Sequence, residues 1–197
     1  MRNHGLIVMT ALPPTEGHLA LCHFAAEFMR SMDGQLFVLL CVLPDEPPGR
    51  AEHAAGLEEA LRRLGWTKDQ VTVGIQFSND PQGPKSPDDD AFWSHWMQVV
   101  TRQTGAKFTH LFSSEEYGAR LAKALSAEHV VFDPERRIVG ARATDVRENL
   151  RGFRSIVEPL RQRLLRRVCL FGQESTGKST LAARLSEMLE SPWCPEW

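Results

Sequence analysis

The stretch that decides the fold is GLIVMTAL at residues 5–12, followed by Pro13-Pro14 and then by Thr15-Glu16-Gly17-His18. A continuous apolar run of this kind is typical of a parallel strand that is buried on both faces. The prolines end the strand, and residues 19–32 continue with apolar side chains at helical spacing. The stretch therefore predicts a strand, a turn and a helix, which is the opening of an α/β domain.

The alternation of strands and helices continues along the chain. Strands are predicted at residues 36–43, 71–77, 108–112 and 129–132, and helices at residues 51–64, 91–104, 118–125, 145–149 and 156–167. This order predicts a doubly wound, Rossmann-like parallel sheet. Ligands of such sheets bind beyond the carboxyl ends of the strands.

Composition narrows the class of protein. The 197 residues are 42% hydrophobic and 24% charged, which indicates a globular chain and excludes a collagen-like fibre or a disordered chain. The longest apolar run, residues 36–43, is too short to span a bilayer, and no cleavage site follows the N-terminal apolar stretch. We therefore expect a cytoplasmic protein without a membrane partner, whose scattered cysteines stay reduced.

Charge is distributed unevenly. Residues 136–167 contain ten arginines, no lysine and three acidic residues, although the whole chain has a net charge of -2. This segment is either a solvated basic helix or a surface that meets phosphate, and the bidentate geometry of arginine favours the second interpretation. Because the chain is slightly acidic and carries no nucleic-acid-binding motif, nucleic acid is not expected as a partner.

A phosphate-binding motif lies near the C-terminus. The apolar residues 167–171 (RVCLF) predict a strand, GQESTGKS follows at residues 172–179, and residues 180–190 predict a helix. The match to G-x-x-x-x-G-K-[ST] in this context predicts a phosphate loop. Gly172 and Gly177 would let backbone N–H groups surround a phosphate, Lys178 would reach the terminal phosphates, and Ser179 would hold Mg²⁺.

Two domains are predicted from this motif, a complete one at residues 1–166 and the start of a P-loop kinase domain at residues 167–197. About one helix follows the phosphate loop, which leaves no second strand to supply an acidic Mg²⁺ ligand. We therefore expect the second unit to be truncated and this chain to have no kinase activity.

The first turn offers a second anion site. Thr15, Gly17 and His18 open a helix directly after the first buried strand. Free N–H groups and positive potential at a helix N-terminus attract phosphate, and Gly17 permits close backbone approach. The alternative is an ordinary N-cap beside a histidine that is present by chance.

This pattern resembles the [H/T]-x-G-H nucleotidylyltransferases, and most closely the NadR-type bifunctional family of nicotinamide-nucleotide adenylyltransferases fused to a ribosylnicotinamide kinase. Further segments resemble that family in order along nearly the whole chain: WSHW at residues 93–96, FSSE at 112–115, FDPER at 132–136, RATDVR at 142–147 and the phosphate loop. One departure is Arg142, which stands where the family usually has Ser or Thr. The family's basic residue after the second strand is either Arg50 or His53.

The resemblance implies transfer of the adenylyl group of ATP to nicotinamide mononucleotide, giving NAD and pyrophosphate, with Mg²⁺ arriving on the ATP. It implies catalytic roles for His18, Thr15 and Arg147, and ATP-phosphate contacts from Gly17, Thr144 and Arg142. It also implies a nicotinamide-nucleotide site made of Trp93, Trp96, Ser113, Asp133 and Arg136.

Three alternatives stay open. Trp93 and Trp96, three residues apart on one helix face, either meet a flat ligand or simply pack in the core. The acceptor could be another phosphorylated compound, such as phosphopantetheine or a sugar phosphate. The chain could also be a module that binds NAD or ATP without turnover. The sequence allows a homo-oligomer without requiring one.

Overall fold

The protein was analysed as a computed structural model, which describes residues 3–42, 50–77, 80, 89–138, 140, 143–148, 150–164 and 168–189. The strands are β1 (His4–Met9), β2 (Gln35–Val42), β3 (Val71–Phe77), β4 (His110–Ser113) and β5 (Glu128–Val131). The helices are α1 (Glu16–Ser31), α2 (Arg50–Arg63), α3 (Asp90–Thr104), α4 (Tyr117–Leu125), α5 (Ala143–Glu148), α6 (Glu158–Leu164) and α7 (Lys178–Met188). A 3₁₀ helix, Leu150–Ser155, precedes α6.

The five strands form one parallel sheet in the order β3-β2-β1-β4-β5, which confirms the predicted doubly wound α/β fold. Strands β2 and β3 follow one another on one side of β1. The chain then crosses to the other side of β1, where β4 and β5 are added. The strand order therefore reverses between β1 and β4. Crevices form at such a reversal because the connecting helices leave in opposite directions.

Alternating side chains of β1 and β2 fill cores on both faces of the sheet. Ile7 packs with the apolar faces of α1 and α2, whereas its neighbour Leu6 packs with α3 and α4 on the opposite face. In β2, Leu40 lies in the core on the side of α1 and α2, and its neighbour Cys41 lies in the core on the side of α3 and α4. Burial on both faces explains why these two strands consist mainly of apolar residues.

The region between α5 and α6 differs from the prediction of one helix over residues 156–167. Helix α6 begins only at Glu158, because Pro159 fits the first turn of a helix, where no backbone N–H donor is needed. Ile156 instead forms an antiparallel bridge with Thr15, and the Val157 N–H donates to the Pro14 carbonyl over 3.1 Å. This segment therefore holds the first turn of the domain in place.

The strand predicted at residues 167–171 is not present in the described part, residues 168–171, which lies outside the sheet. Val168 is 71% exposed and Phe171 is 91% exposed, and neither has a strand beside it among the described residues. A single strand without a hydrogen-bonded neighbour is not stable in water. The helix after the phosphate motif is present as α7, beginning at Lys178.

Candidate active site

A cavity of about 360 Å³ lies where the strand order reverses, beyond the carboxyl ends of β1 and β4. This volume is within the range of sites for small organic ligands. It is lined by Val8, Met9, Thr10, Thr15, Gly17, His18, Leu21, Cys41, Phe92, Trp93, Trp96, Phe112, Ser113, Ser114, Glu115, Tyr117, Leu121, Phe132, Asp133 and Arg136. The structure thus brings together Thr15, Gly17 and His18 with all five residues predicted for the nicotinamide nucleotide.

Thr15 and His18 form a closed hydrogen-bonded unit at the start of α1. The Thr15 backbone N–H donates to His18 Nδ1 over 3.0 Å, and Thr15 Oγ1 lies 2.8 Å from the same nitrogen. Because Nδ1 accepts the backbone N–H, the proton of the neutral imidazole is on Nε2. The Thr15 side chain, only 1% exposed, therefore orients His18 by occupying Nδ1.

His18 is uncharged at neutral pH. Burial, and secondarily the positive charge of Arg136, lower its pKa to about 4. A neutral imidazole with its proton on Nε2 can donate a hydrogen bond to an anion without giving up the proton.

Arg136 and Glu115 form an ion pair beside this histidine. Arg136 Nη2 donates to Glu115 Oε1 over 3.1 Å, and both residues line the cavity. The carboxylate of Asp133 accepts the backbone N–H groups of Arg137 at 2.7 Å and Ile138 at 3.0 Å. Asp133 thus fixes the loop that carries Arg136, and its polar contacts in the structure are within that loop.

An aromatic wall of Trp93, Trp96 and Phe92 from α3 forms another side of the cavity. Trp93 is 8% exposed, and its ring meets that of Phe92 edge to face with centroids 4.7 Å apart. The two tryptophans lie in the same hydrophobic cluster as Leu39 and Cys41, so they belong both to the core and to the cavity surface. The buried Nε1–H of Trp93 has no hydrogen-bond acceptor among the described residues.

Ser113, at the end of β4, has its hydroxyl occupied. Oγ donates to the Glu115 carbonyl over 2.9 Å and lies 2.9 Å from His129 Nε2. Gly118 packs so closely that a Cβ there would lie 2.1 Å from Ser113 Oγ. The hydroxyl that the sequence assigns to ligand binding therefore also fixes the turn that carries Glu115.

Thr144 and Arg147 lie on α5 and do not line the cavity. Arg147 Nη2 donates to Thr144 Oγ1 over 3.1 Å, and Nη1 donates to the Leu12 carbonyl in the loop before Thr15.

The remaining basic residues predicted for the site are Arg142 and the one that follows β2. Arg142 lies outside the described residues. Of the two candidates for the basic residue after β2, His53 does not line the cavity, and the Arg50 side chain is outside the described part.

The phosphate motif forms a loop before α7. Gly177 has a φ of 81° and Ser175 a φ of 62°, and Lys178 Nζ donates to the Gln173 carbonyl over 2.7 Å. Gly172 is exposed, and so is Ser179 in the first turn of α7. None of these residues lines the cavity. Phosphate and Mg²⁺ binding by this loop stays a prediction.

Three arginines of the basic segment, residues 136–167, form ion pairs within the fold. Arg163 pairs with Glu59 at 2.9 Å, Arg137 pairs with Glu135, and Arg136 pairs with Glu115. These pairs do not support the interpretation of the segment as one continuous phosphate-binding surface. Of its described arginines, only Arg136 lines the cavity.

Sequence reasoning missed Cys41 and Tyr117 as cavity residues. Burial raises the pKa of the Cys41 thiol to about 12, so it lines the cavity as an uncharged group. Tyr117 donates its hydroxyl to the Val8 carbonyl over 2.7 Å, and burial raises its pKa as well. Neither residue belongs to a recognisable motif, because each reaches the cavity through strand order rather than through local spacing.

Among the described residues, no group of three or more His, Cys, Asp or Glu side chains could hold a metal ion. In the same part of the chain, no helix is long and apolar enough to cross a membrane.

The fold and the cavity together define a doubly wound, Rossmann-like α/β domain with a ligand site at its switch point. No protein-family model matches the chain. The chain is homologous to the trifunctional NAD biosynthesis/regulator protein NadR of Salmonella typhimurium, at 25% identity in an alignment of 198 positions that covers 96% of this chain and 47% of the relative. NadR of Escherichia coli is 27% identical in an alignment of 135 positions that covers 66% of this chain and 33% of the relative.

Solved structures agree with the fold. The structure of NadR in complex with NAD and AMP-PNP matches with a TM-score of 0.65 at 21% identity, covering 100% of this chain and 56% of that one. NadR in complex with NR matches with a TM-score of 0.60 and 54% coverage of that chain. The chain thus spans about half the length of the Salmonella relative and of the matched structures, and a third of the Escherichia relative.

Proposed function

We propose that the chain transfers the adenylyl group of ATP to nicotinamide mononucleotide. An oxygen of the 5′-phosphate attacks the α-phosphorus, the bond to the β-phosphate oxygen breaks, and NAD and pyrophosphate are released. The observation that carries this proposal is the presence of a neutral Nε2–H donor, His18, and a tryptophan wall in one cavity. Such a cavity suits a ligand that has a phosphate at one end and a flat ring at the other.

The polar end of the cavity is suited to phosphate chemistry. The attacking phosphate is already ionised at neutral pH, so the site needs donors and positive charge rather than a general base. His18 Nε2–H, the backbone N–H groups at the start of α1 near Gly17, and Arg136 supply these. Mg²⁺ would be bound mainly by the ATP phosphates, as this ion prefers oxygen ligands and retains several waters.

The aromatic end is suited to the nicotinamide ring. The ring is cationic in nicotinamide mononucleotide, and the face of a tryptophan attracts a cation. Other phosphorylated acceptors without an aromatic ring would gain nothing from this wall.

The relatives support the same proposal. They carry the words NAD biosynthesis in their names, and the matched structures were determined with NAD, AMP-PNP and NR. Since the chain spans only part of these proteins, the activity is assigned to this chain as a proposal.

The test is an assay of NAD formation from ATP, Mg²⁺ and nicotinamide mononucleotide by the purified chain, with pyrophosphate release measured in parallel. Equal amounts of NAD and pyrophosphate are expected. Pyrophosphate release only with another phosphorylated acceptor would replace the assigned substrate. Binding of NAD or ATP by calorimetry, without turnover, would show a binding module instead of an enzyme.

A further inference from the structure

A polar cluster outside the cavity joins β3 to α3. Asp80 lies in the connection between these elements, and its side chain is 10% exposed. Its Oδ2 accepts from Gln76 Nε2 of β3 over 3.1 Å, and its Oδ1 accepts from His95 Nε2 of α3 over 2.6 Å. One carboxylate thus links the edge strand of the sheet to the helix that carries the tryptophans.

The Asp80 carboxylate determines the orientation of the Gln76 side-chain amide. Gln76 is 3% exposed, and its Oε1 is buried without a hydrogen-bond donor among the described residues. An unpaired buried carbonyl is costly, yet the opposite amide orientation would place that oxygen against the oxygens of Asp80. The Gln76 amide therefore donates to the Asp80 carboxylate, and its own oxygen stays unpaired among the described residues.

The cluster is adjacent to the cavity. Gln76 is the register partner of Cys41 in the neighbouring strand, and Cys41 lines the cavity and shares a hydrophobic cluster with Trp93 and Trp96. The negative charge of Asp80 also contributes to the raised pKa of Cys41. The carboxylate is therefore close to the surface against which the tryptophans pack.

His95 lies between Trp93 and Trp96 in α3, and successive helical residues point about 100° apart around the axis. Fixing the direction of His95 therefore fixes the rotation of α3 and the direction of both indole rings. The apolar contacts of the helix alone are less specific, because hydrophobic contact is non-directional.

We infer that Asp80 is a positioning residue, whose bridge from Gln76 to His95 sets the orientation of the tryptophan wall and thereby the affinity for the nicotinamide nucleotide. The affinity part of this inference rests on the proposed function. The positional part does not, since the protection of α3 from hydrogen exchange can be measured without substrate.

The variants to compare are Asp80→Ala and His95→Ala, which remove the bridge, and His95→Gln, whose amide N–H retains a donor. Ser94→Ala, an exposed position on the same helix, is the matched control. Steady-state kinetics would give KM for each substrate and kcat. Hydrogen exchange measured by mass spectrometry would compare α3 peptides with β1 and α1 peptides.

For both alanine variants, loss of the bridge is expected to raise KM for nicotinamide mononucleotide about tenfold, with KM for ATP and kcat changed by less than about twofold. Exchange should accelerate in α3 and stay unchanged in β1 and α1. His95→Gln and Ser94→Ala should resemble the wild type.

Two results would overturn the inference. One is wild-type KM and α3 exchange in Asp80→Ala. The other is acceleration of exchange across all elements together with equal changes in both KM values, which would show general destabilisation. If the wild-type chain forms no NAD, the proposed function fails, and the exchange measurement alone decides the role of Asp80.

Discussion

His18 Nδ1 lies 2.8 Å from Thr15 Oγ1 and accepts the Thr15 backbone N–H, so its Nε2–H is left to face the cavity. A donor held in place before the substrate arrives needs no reorganisation during the reaction. This makes His18 the residue whose loss should affect turnover most.

We expect His18→Ala to lower kcat for NAD formation about a hundredfold, because one preorganised donor to the transition state is lost. His23→Ala is the matched control, since His23 lies on the same helix but does not line the cavity. The circular dichroism spectrum of both variants should match that of the wild type. Near-normal kcat in His18→Ala would remove the histidine from the mechanism.

His18 should also make stability depend on pH. Its pKa falls from 6.5 in the unfolded chain to about 4 in the fold, so the unfolded chain binds more protons between these values. The stabilisation is present above about pH 6.5 and is lost as pH falls towards about 4. Between about pH 7.5 and pH 5 the loss should be about 2 kcal/mol.

Urea unfolding of wild type and His18→Asn at both pH values measures this effect. The free energy of unfolding of the wild type should decrease more than that of the variant, because other titrating groups are common to both. Parallel decreases in the two proteins would contradict the assigned pKa.

Trp93→Phe keeps an aromatic ring but removes the indole Nε1–H. We expect KM for nicotinamide mononucleotide to rise about fivefold, since the aromatic area offered to the nicotinamide ring is reduced, while KM for ATP stays unchanged. Trp66→Phe is the control, because Trp66 is equally buried but lies outside the cavity, where its Nε1 donates to His23. Equal KM values in all three proteins would assign Trp93 to core packing alone.

Gly56 brings α2 and α6 into close contact. A Cβ at Gly56 would lie 2.7 Å from the Cβ of Leu160, whereas a Cβ at Gly74 would meet nothing nearer than 3.8 Å. Gly56→Ala should therefore destabilise the fold by about 1–3 kcal/mol through overpacking. The corresponding fall in Tm is about 2–4 °C per kcal/mol.

Gly74→Ala serves as the matched comparison in thermal unfolding and should leave Tm nearly unchanged. The two variants would contradict the packing of α6 on α2 if they melted at the same temperature.

The sequence was most informative where physical signals are local. The apolar run at residues 5–12 and the turn from Thr15 to His18 predicted β1, the start of α1 and one polar side of the cavity. The strand at 167–171 was predicted from the same kind of signal, but apolar residues form a strand only where a neighbouring strand can pair with them.

Contacts between distant parts of the chain could not be predicted from spacing. Three such features depend on which strands become neighbours. They are the hydrogen bond between Ser113 and His129, the hydrogen-bonded bridge from Gln76 through Asp80 to His95, and the position of Cys41 at the cavity. Polar residues in such positions look like ordinary surface residues in the sequence, because nothing local marks them as buried.

The bridge between Thr15 and Ile156 has a consequence for how the protein is made. Synthesis proceeds from the N-terminus, so the Thr15–His18 turn emerges from the ribosome long before its partner segment does. Until Ile156 and Val157 have emerged, the turn lacks the backbone contacts that hold it in the finished fold. A nascent chain can therefore form the sheet early, but its first turn gains these backbone contacts only after all five strands have been synthesised.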